Sequence, residues 1–172
     1  MDYNLRPVDH ITTDAIGPPG KRVFYLQARK GEEQVTLIVE KAQVQSLAIG
    51  VEEFLSDLRE RRPGIEEADS QFDESEMRLR KPIDPAFRVG QIGIGYDDDA
   101  DLMVLVAREI QTEDNAVEEP SVARFWCTRS QMRTMCSWGL DVAERGRPIC
   151  GNCGRPIDPD GHFCPKRNGH KH

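Results

Sequence analysis

No apolar run in the sequence approaches the roughly 20 residues that a membrane-spanning helix needs. The opening residues, Met1-Asp2-Tyr3-Asn4-Leu5-Arg6-Pro7, lack a basic stretch followed by an apolar one. No secretory signal is expected, no membrane partner is expected, and the expected location is the cytoplasm. Histidine is scarce, with four residues, and only His10 lies outside the last stretch of the chain. No second histidine and no serine motif stands near His10, so the sequence offers no catalytic dyad. No catalytic residue and no organic-cofactor-binding residue is assigned. The glycines of Gly90-x-x-Gly93-x-Gly95 do not lead from a strand into a helix, so they form no phosphate cradle. Close backbone packing within a strand accounts for them better.

Cysteine is present in an odd number, five, which argues against a closed disulfide framework. Cys127 and Cys136 fall in a predicted strand and a predicted helix, where they read as small buried apolar side chains. Neither has a neighbouring cue for a lowered pKa.

What the chain does have is charge. Charged residues make up 31% and apolar ones 38% of its 172 residues. The apolar residues are clustered, so a core can form while the polar excess sits in loops and a tail. The net charge is −7, unevenly spread. Residues 145–172 carry Arg145, Arg147, Arg155, Lys166, Arg167 and Lys171 against Asp158 and Asp160, a net of +4 that leaves −11 on residues 1–144. So acidic a body disfavours nonspecific nucleic-acid binding, whereas the basic tail permits contact with phosphate.

Periodicity predicts an α+β body over 1–146. A weak strand over Val8–Ile16 stops at Gly17-Pro18-Pro19-Gly20. Arg22–Arg29 and Gln34–Val39 form a hairpin about Lys30-Gly31-Glu32. A helix follows, with Val44, Leu47, Ala48, Val51, Leu55 and Leu58 on one stripe, and Pro63-Gly64 ends it. Residues 64–86 are an acidic linker with the composition of a loosely packed loop. A second block repeats the order, with strands Phe87–Tyr96, Leu102–Glu109 and Val122–Cys127. Its helix starts at Thr128, with Gln131 completing a capping box, and Gly146 suits its C′ position. The helix stripe is Met132, Met135, Cys136, Gly139 and Val142 or Ala143.

The halves 8–63 and 87–146 read as two strand-strand-strand-helix repeats. Ile16-Gly17 aligns with Ile94-Gly95, and Phe24-x-Leu26-x-Ala28-Arg29 with Met103-x-Leu105-x-Ala107-Arg108. Leu37 aligns with Phe125, and Gln43-Val44 with Gln131-Met132. The expected architecture is a mainly antiparallel sheet of about six strands, with one helix per half and a shared core.

Residues 147–172 read as a zinc-binding tail. Cys150-Gly151-Asn152-Cys153-Gly154 lets two thiolates reach one tetrahedral ion, and the glycine after the second permits a positive φ. Asp158-Pro159-Asp160-Gly161 turns the chain back to offer His162 and Cys164. Cys150, Cys153, His162 and Cys164 make a closed structural Zn2+ set with no position left for water. His170 is the alternative fourth ligand. So short and polar a segment should fold with its metal.

Three groups in the body remain as candidates. Asp97, Asp98, Asp99 and Asp101 could hold a divalent cation, but no calcium-loop glycine or bidentate glutamate accompanies them, so a solvated turn is the better reading. Arg29 and Arg108 occupy equivalent positions and could clamp an anion between the halves, or pair locally with Glu40 or Glu109. Trp126 and Trp138 belong in the core or at an interface.

The chain resembles a bacterial family, common in actinobacteria, known as domain of unknown function 3090. The resemblance rests on Gly17-x-Pro19-Gly20-x-x-x-Phe24-x-Leu26-Gln27-Ala28-Arg29 and on Gly93-x-Gly95-Tyr96-Asp97. It extends to Cys150-x-x-Cys153-Gly154 and to Asp158-Pro159-x-Gly161-His162-x-Cys164-Pro165-x-x-Asn168-Gly169. Family tails tend to carry an aromatic where His170 stands, which favours His162 as the ligand. The resemblance implies the boundaries and brings no activity.

The expected function is a non-enzymatic protein-interaction or adaptor role with a structural zinc site and an unidentified protein partner. The alternatives are a nucleic-acid-associated factor using the basic tail, and an enzyme or small-anion binder using a cleft in the body.

Overall fold

The computed structural model describes residues 1–114 and 118–145. Within them lie seven strands and three helices. The strands are β1 (Asp2–Leu5), β2 (His10–Ile16), β3 (Val23–Lys30), β4 (Glu33–Val39), β5 (Pro85–Asp97), β6 (Leu102–Glu109) and β7 (Val122–Cys127). The helices are α1 (Lys41–Arg61), α2 (Glu74–Met77) and α3 (Arg129–Arg145). The expected α+β class holds. The sheet has seven strands rather than about six, because Asp2–Leu5 is a separate strand.

The sheet order is β1-β7-β6-β5-β4-β3-β2. Pairing is antiparallel within β2-β3-β4 and within β5-β6-β7, and parallel for β4-β5 and β1-β7. This order requires the sheet to curl. A flat seven-stranded sheet would separate its outer strands by about 29 Å. The five Cα steps from Leu5 to His10 span at most about 18 Å. The link itself is bonded to both ends of the sheet. Val8 N–H donates to the Trp126 carbonyl of β7, and Asp9 N–H donates to the Arg29 carbonyl of β3.

Strand β5 is long because it serves two neighbours in turn. Its first part, Pro85 to Arg88, pairs with β4, and from Val89 onward it pairs with β6. The change of partner falls at an irregularity between Val89 and Gln91. Gly90 sits there, and a Cβ on it would lie 2.8 Å from the Ile110 Cα. Gly95 is similarly close-packed, with its Cβ position 3.0 Å from a Val104 methyl. Gly93 has open space instead.

Helices α1 and α3 pack on each other, and α3 lies on β2. Their buried stripes are Val44, Ala48, Val51, Leu55 and Leu58 on α1, and Met132, Met135, Cys136, Trp138, Gly139, Val142 and Ala143 on α3. Gly139 marks the closest approach. A Cβ there would stand 2.8 Å from both the Thr13 and Val44 methyls, so only glycine admits strand and helix together. Trp138 is fully buried; Trp126 is half-buried, with the Arg6 guanidinium 4.0 Å from its ring centre.

Both long helices start with the same reciprocal cap. Glu40 N–H donates to Gln43 Oε1, and Thr128 N–H donates to Gln131 Oε1. Each glutamine's amide then reaches on, from Gln43 to the Val89 and Gly90 carbonyls and from Gln131 to the Val8 and Asp9 carbonyls. At the far end of α1, Arg62 N–H donates to the Leu58 carbonyl, and Gly64 turns at φ 98°.

The acidic linker is held, not loose. Asp69 N–H donates to Ser130 Oγ, Arg133 donates to the Ala68 carbonyl, and Phe72 meets Trp138 edge-on at 5.3 Å. Met77 is buried, and its carbonyl accepts from Thr12 Oγ1 at 2.6 Å. A handful of apolar and main-chain anchors thus fixes a segment whose composition signals a loop.

Candidate anion-binding site

The linker and the β2-β3 hairpin enclose a cleft of about 400 Å³. Its walls are His10, Gln27 and Arg29 from β2 and β3, and Ser75, Glu76, Arg78, Leu79 and Arg80 from the linker. Strand alternation explains the first set. His10 faces Arg29 across the ladder and Thr12 faces Gln27, so these four share one side of the hairpin. Leu26, Ala28 and Ile11 take the other side and enter the core.

Gln27 fixes the second set. Its Nε2 donates to Thr36 Oγ1 and to the Arg80 carbonyl, while Arg80 N–H donates to its Oε1. A buried side chain thereby satisfies the main chain of Arg80 from both sides, as a neighbouring strand would. Gln34 adds donors to the Arg80 and Pro82 carbonyls.

The charges in the cleft are unequal in their partners. Arg78 is neutralised by Asp14 at 3.4 Å and Glu74 at 2.6 Å. Arg29 and Arg80 have no carboxylate within ion-pairing distance among the described residues. The two glutamates that sequence offered as local partners are engaged elsewhere, Glu40 with Arg88 and Glu109 with the Ser121 N–H. Glu76 supplies the cleft's own carboxylate wall.

His10 responds to this setting. Burial holds its pKa below the ordinary histidine value, the Arg29 and Arg80 guanidiniums lower it further, and a hydrogen bond to the Glu76 main chain opposes them. Its Nε2 is buried with no hydrogen-bond partner among the described residues. His10, Arg29 and Arg80 thus set two guanidiniums and an imidazole against the single Glu76 carboxylate of the lining, a balance that suits a compact anion.

The other sequence candidates are placed differently. Arg108 is exposed on β6, with β5 and β4 between it and β3, so it does not meet Arg29. The aspartates form the β5-β6 turn and are taken by cations and main chain. Asp97 pairs with Arg6 at 2.6 Å, Asp98 with Arg62 at 2.8 Å and Asp101 with Arg129 at 2.8 Å. Asp97 also accepts from the Asp99 and Ala100 N–H groups. Among the described residues no group of three or more His, Cys, Asp or Glu is disposed to hold a metal. The Arg6–Asp97 and Arg62–Asp98 pairs are exposed and shape the turn more than they stabilise it, whereas the Arg129 side chain is largely covered. Cys127 and Cys136 are free and buried, and burial pushes both thiols up to about 12. Cys150, Cys153, His162 and Cys164, with His170 and Gly146, lie outside the described residues.

The cleft escaped sequence reasoning because its parts are far apart in the chain. Arg80 lies in the segment read as loose, and no local motif ties it to Arg29.

A family model described as protein of unknown function (DUF3090) matches residues 3–164. The chain belongs to this family. The DUF3090 match spans the β2-β3 hairpin, the linker and all four candidate zinc ligands. Neither a search of the curated proteins nor one of the solved structures finds a match. Among the described residues no helix is long and apolar enough to cross a membrane.

Proposed function

We propose that the protein binds a small anionic ligand, carrying a phosphate or carboxylate group, in the cleft of His10, Arg29 and Arg80. The observation that carries this reading is the pair of arginines without carboxylate partners among the described residues, in one cleft of about 400 Å³. That volume exceeds an inorganic anion and suits one with an organic body. The charge of −11 on residues 1–144 repels a polyanion at long range, yet two guanidiniums lining one cleft, Arg29 half-buried and Arg80 exposed, suit a small anion at short range.

A charge-assisted hydrogen bond contributes about 1.5–3 kcal/mol, so Arg29→Ala should weaken binding by roughly ten- to a hundredfold. The test is a thermal-shift and calorimetric panel of phosphate, sulfate, citrate and sugar phosphates on the wild type and on Arg29→Ala. Stabilisation of the wild type alone supports the site. Equal responses in both proteins would remove it.

Two further readings accompany it. The first is that the body consists of two copies of one unit. In support, Arg29 and Arg108 sit opposite His10 and Gln91 in matching ladders, and Gln43 and Gln131 make matching caps and matching bonds to a strand bend. By this register β1 and β2 together correspond to β5, so Ile11 answers to Ile92 and Thr12 to Gly93. The alignment of Ile16-Gly17 with Ile94-Gly95 is therefore out of step.

The second is a structural zinc site on Cys150, Cys153, His162 and Cys164, supported by ligand type and spacing. It makes the tail a compact surface for a protein partner, in an adaptor role that the anion site could regulate. Elemental analysis of the purified chain should give about one zinc per molecule, lost in Cys153→Ser. A metal-free wild type would end this reading.

A further inference from the structure

A second groove, of about 320 Å³, opens between α1 and β5. Ala42, Gln43, Ser46, Leu47 and Gly50 line it from the helix, and Gly90, Ile92, Gly93 and Ile94 from the strand. Beyond Arg88, β5 pairs only with β6 among the described residues, so its other side faces this groove. Gly93 leaves the floor bare, with nothing within 4 Å of its Cβ position.

The two-copy reading of the body supplies the counterpart. Gln43 answers to Gln131, so Ala42, Ser46 and Gly50 answer to Ser130, Thr134 and Trp138, and Gly93 answers to Thr12. Those four counterparts all hold the chain's own linker. Ser130 accepts from Asp69 N–H, Thr134 donates to the Asp69 carbonyl, Trp138 meets Phe72, and Thr12 donates to the Met77 carbonyl. One groove is filled by residues 69–77; its equivalent is empty among the described residues.

The occupant follows from chain order. The filling linker is the segment that leaves α1 and crosses to the groove of α3. The segment that leaves α3 is 146–172, of length comparable to the 62–84 connection. It starts at the correct end. Gly139 of α3 touches Val44 of α1, while Arg133 near the start of α3 pairs with Glu52 further along α1. The two helices are therefore antiparallel, and Arg145 lies toward the Lys41 end, where the groove is. At about 3.3 Å per residue the segment reaches the groove many times over, and it carries Ile149, Ile157 and Phe163 as apolar anchors. We infer that residues 146–172 dock in cis in the α1-β5 groove, as residues 69–77 dock in the α3-β2 groove.

The inference rests on the two-copy reading and is independent of the anion site. The test places a photo-cross-linking benzoylphenylalanine at exposed Ser46 in one full-length chain and at Thr134 in another. Irradiation is done at low protein concentration, in an equal mixture of isotopically light and heavy chains. Peptides are then identified by mass spectrometry. The Thr134 chain should capture 68–77, and the Ser46 chain should capture 146–172 of its own isotope. Light-heavy products at Ser46 would assign the groove to a second copy and overturn docking in cis. Capture at Thr134 with none from 146–172 at Ser46 would also overturn it while leaving the two-copy reading intact. Failure of Thr134 to capture the linker would remove the template and the inference together.

Discussion

At the scale of single residues, His10 couples the cleft to pH. Its folded-state pKa is lowered by burial and by Arg29 and Arg80, so the unfolded chain takes up the proton first. Stability should therefore be intact above the ordinary histidine range, near about 6.5, and fall as pH drops through it. The slope can reach about 1.4 kcal/mol per pH unit. His10→Asn should flatten that part of the profile. Urea unfolding of both proteins between pH 7.5 and 5.5, a window of about two units set by that histidine range, reads the difference, and parallel curves would show that His10 does not titrate across folding. A bound anion offsets the two guanidiniums and raises the pKa again, so the ligand should bind more tightly as pH falls.

Residue chemistry was partly legible in advance. Thr128 and Gln131 announced their cap, and Gln131 N–H does donate to Thr128 Oγ1. The cysteines of the body read correctly as buried side chains. Arg29 is singled out by sequence with two alternatives, an anion shared with Arg108 or a local pairing with Glu40 or Glu109, and neither holds: two strands separate the arginines, and the glutamates are engaged elsewhere.

At the scale of elements, the linker carries the most consequence for its length. Gln27 pairs with both main-chain groups of Arg80, and it supplies the acceptor for the Arg80 N–H. Gln27→Leu keeps the bulk and leaves the part-buried Arg80 N–H unpaired while Gln34 still reaches the carbonyl, at a cost of about 1–3 kcal/mol. Hydrogen exchange should accelerate at Arg80 and its neighbours while β6 and β7 keep their protection. Exchange unchanged at Arg80 would mean that the linker is held by Met77 and Phe72 without this glutamine. The anion response should weaken in the same variant, because Arg80 is then no longer held at the cleft.

The periodic elements were readable because each has one buried face: β3, β4, β6, β7 and the stripes of α1 and α3 all alternate or step as their burial requires. The segments missed were those whose structure comes from elsewhere. Asp2–Leu5 is too short to show alternation and is a strand only because β7 receives it. The linker has Ala68, Phe72 and Met77 spread among acids, which is loop composition until a groove is there to take them.

At the scale of the molecule, helices, sheet and linker share one core, with Leu5 and Val8 in it alongside Phe125 and Trp138. A chain cut after Arg145 keeps every one of these residues. It should unfold in a single cooperative transition, and a zinc chelator should leave the full chain's main transition in place. Loss of cooperative unfolding on truncation, followed by circular dichroism, would show that the tail is required by the core. The layout of the core was open to sequence reasoning only up to the list of apolar residues. The curl of the sheet was not, since it follows from the joining of β1 to β7, which no local pattern encodes.

That joining has a consequence during synthesis. Arg124 bonds to Asn4, 120 residues away, so β1 is paired by a strand synthesised long after it. Until β7 emerges, β1 has no neighbour and Leu5 no core. Contacts so distant in sequence slow folding and leave an unpaired edge open to other chains. A nascent chain of this protein is therefore most exposed to aggregation after β1 and before β7 is made, and that is when a chaperone would find it.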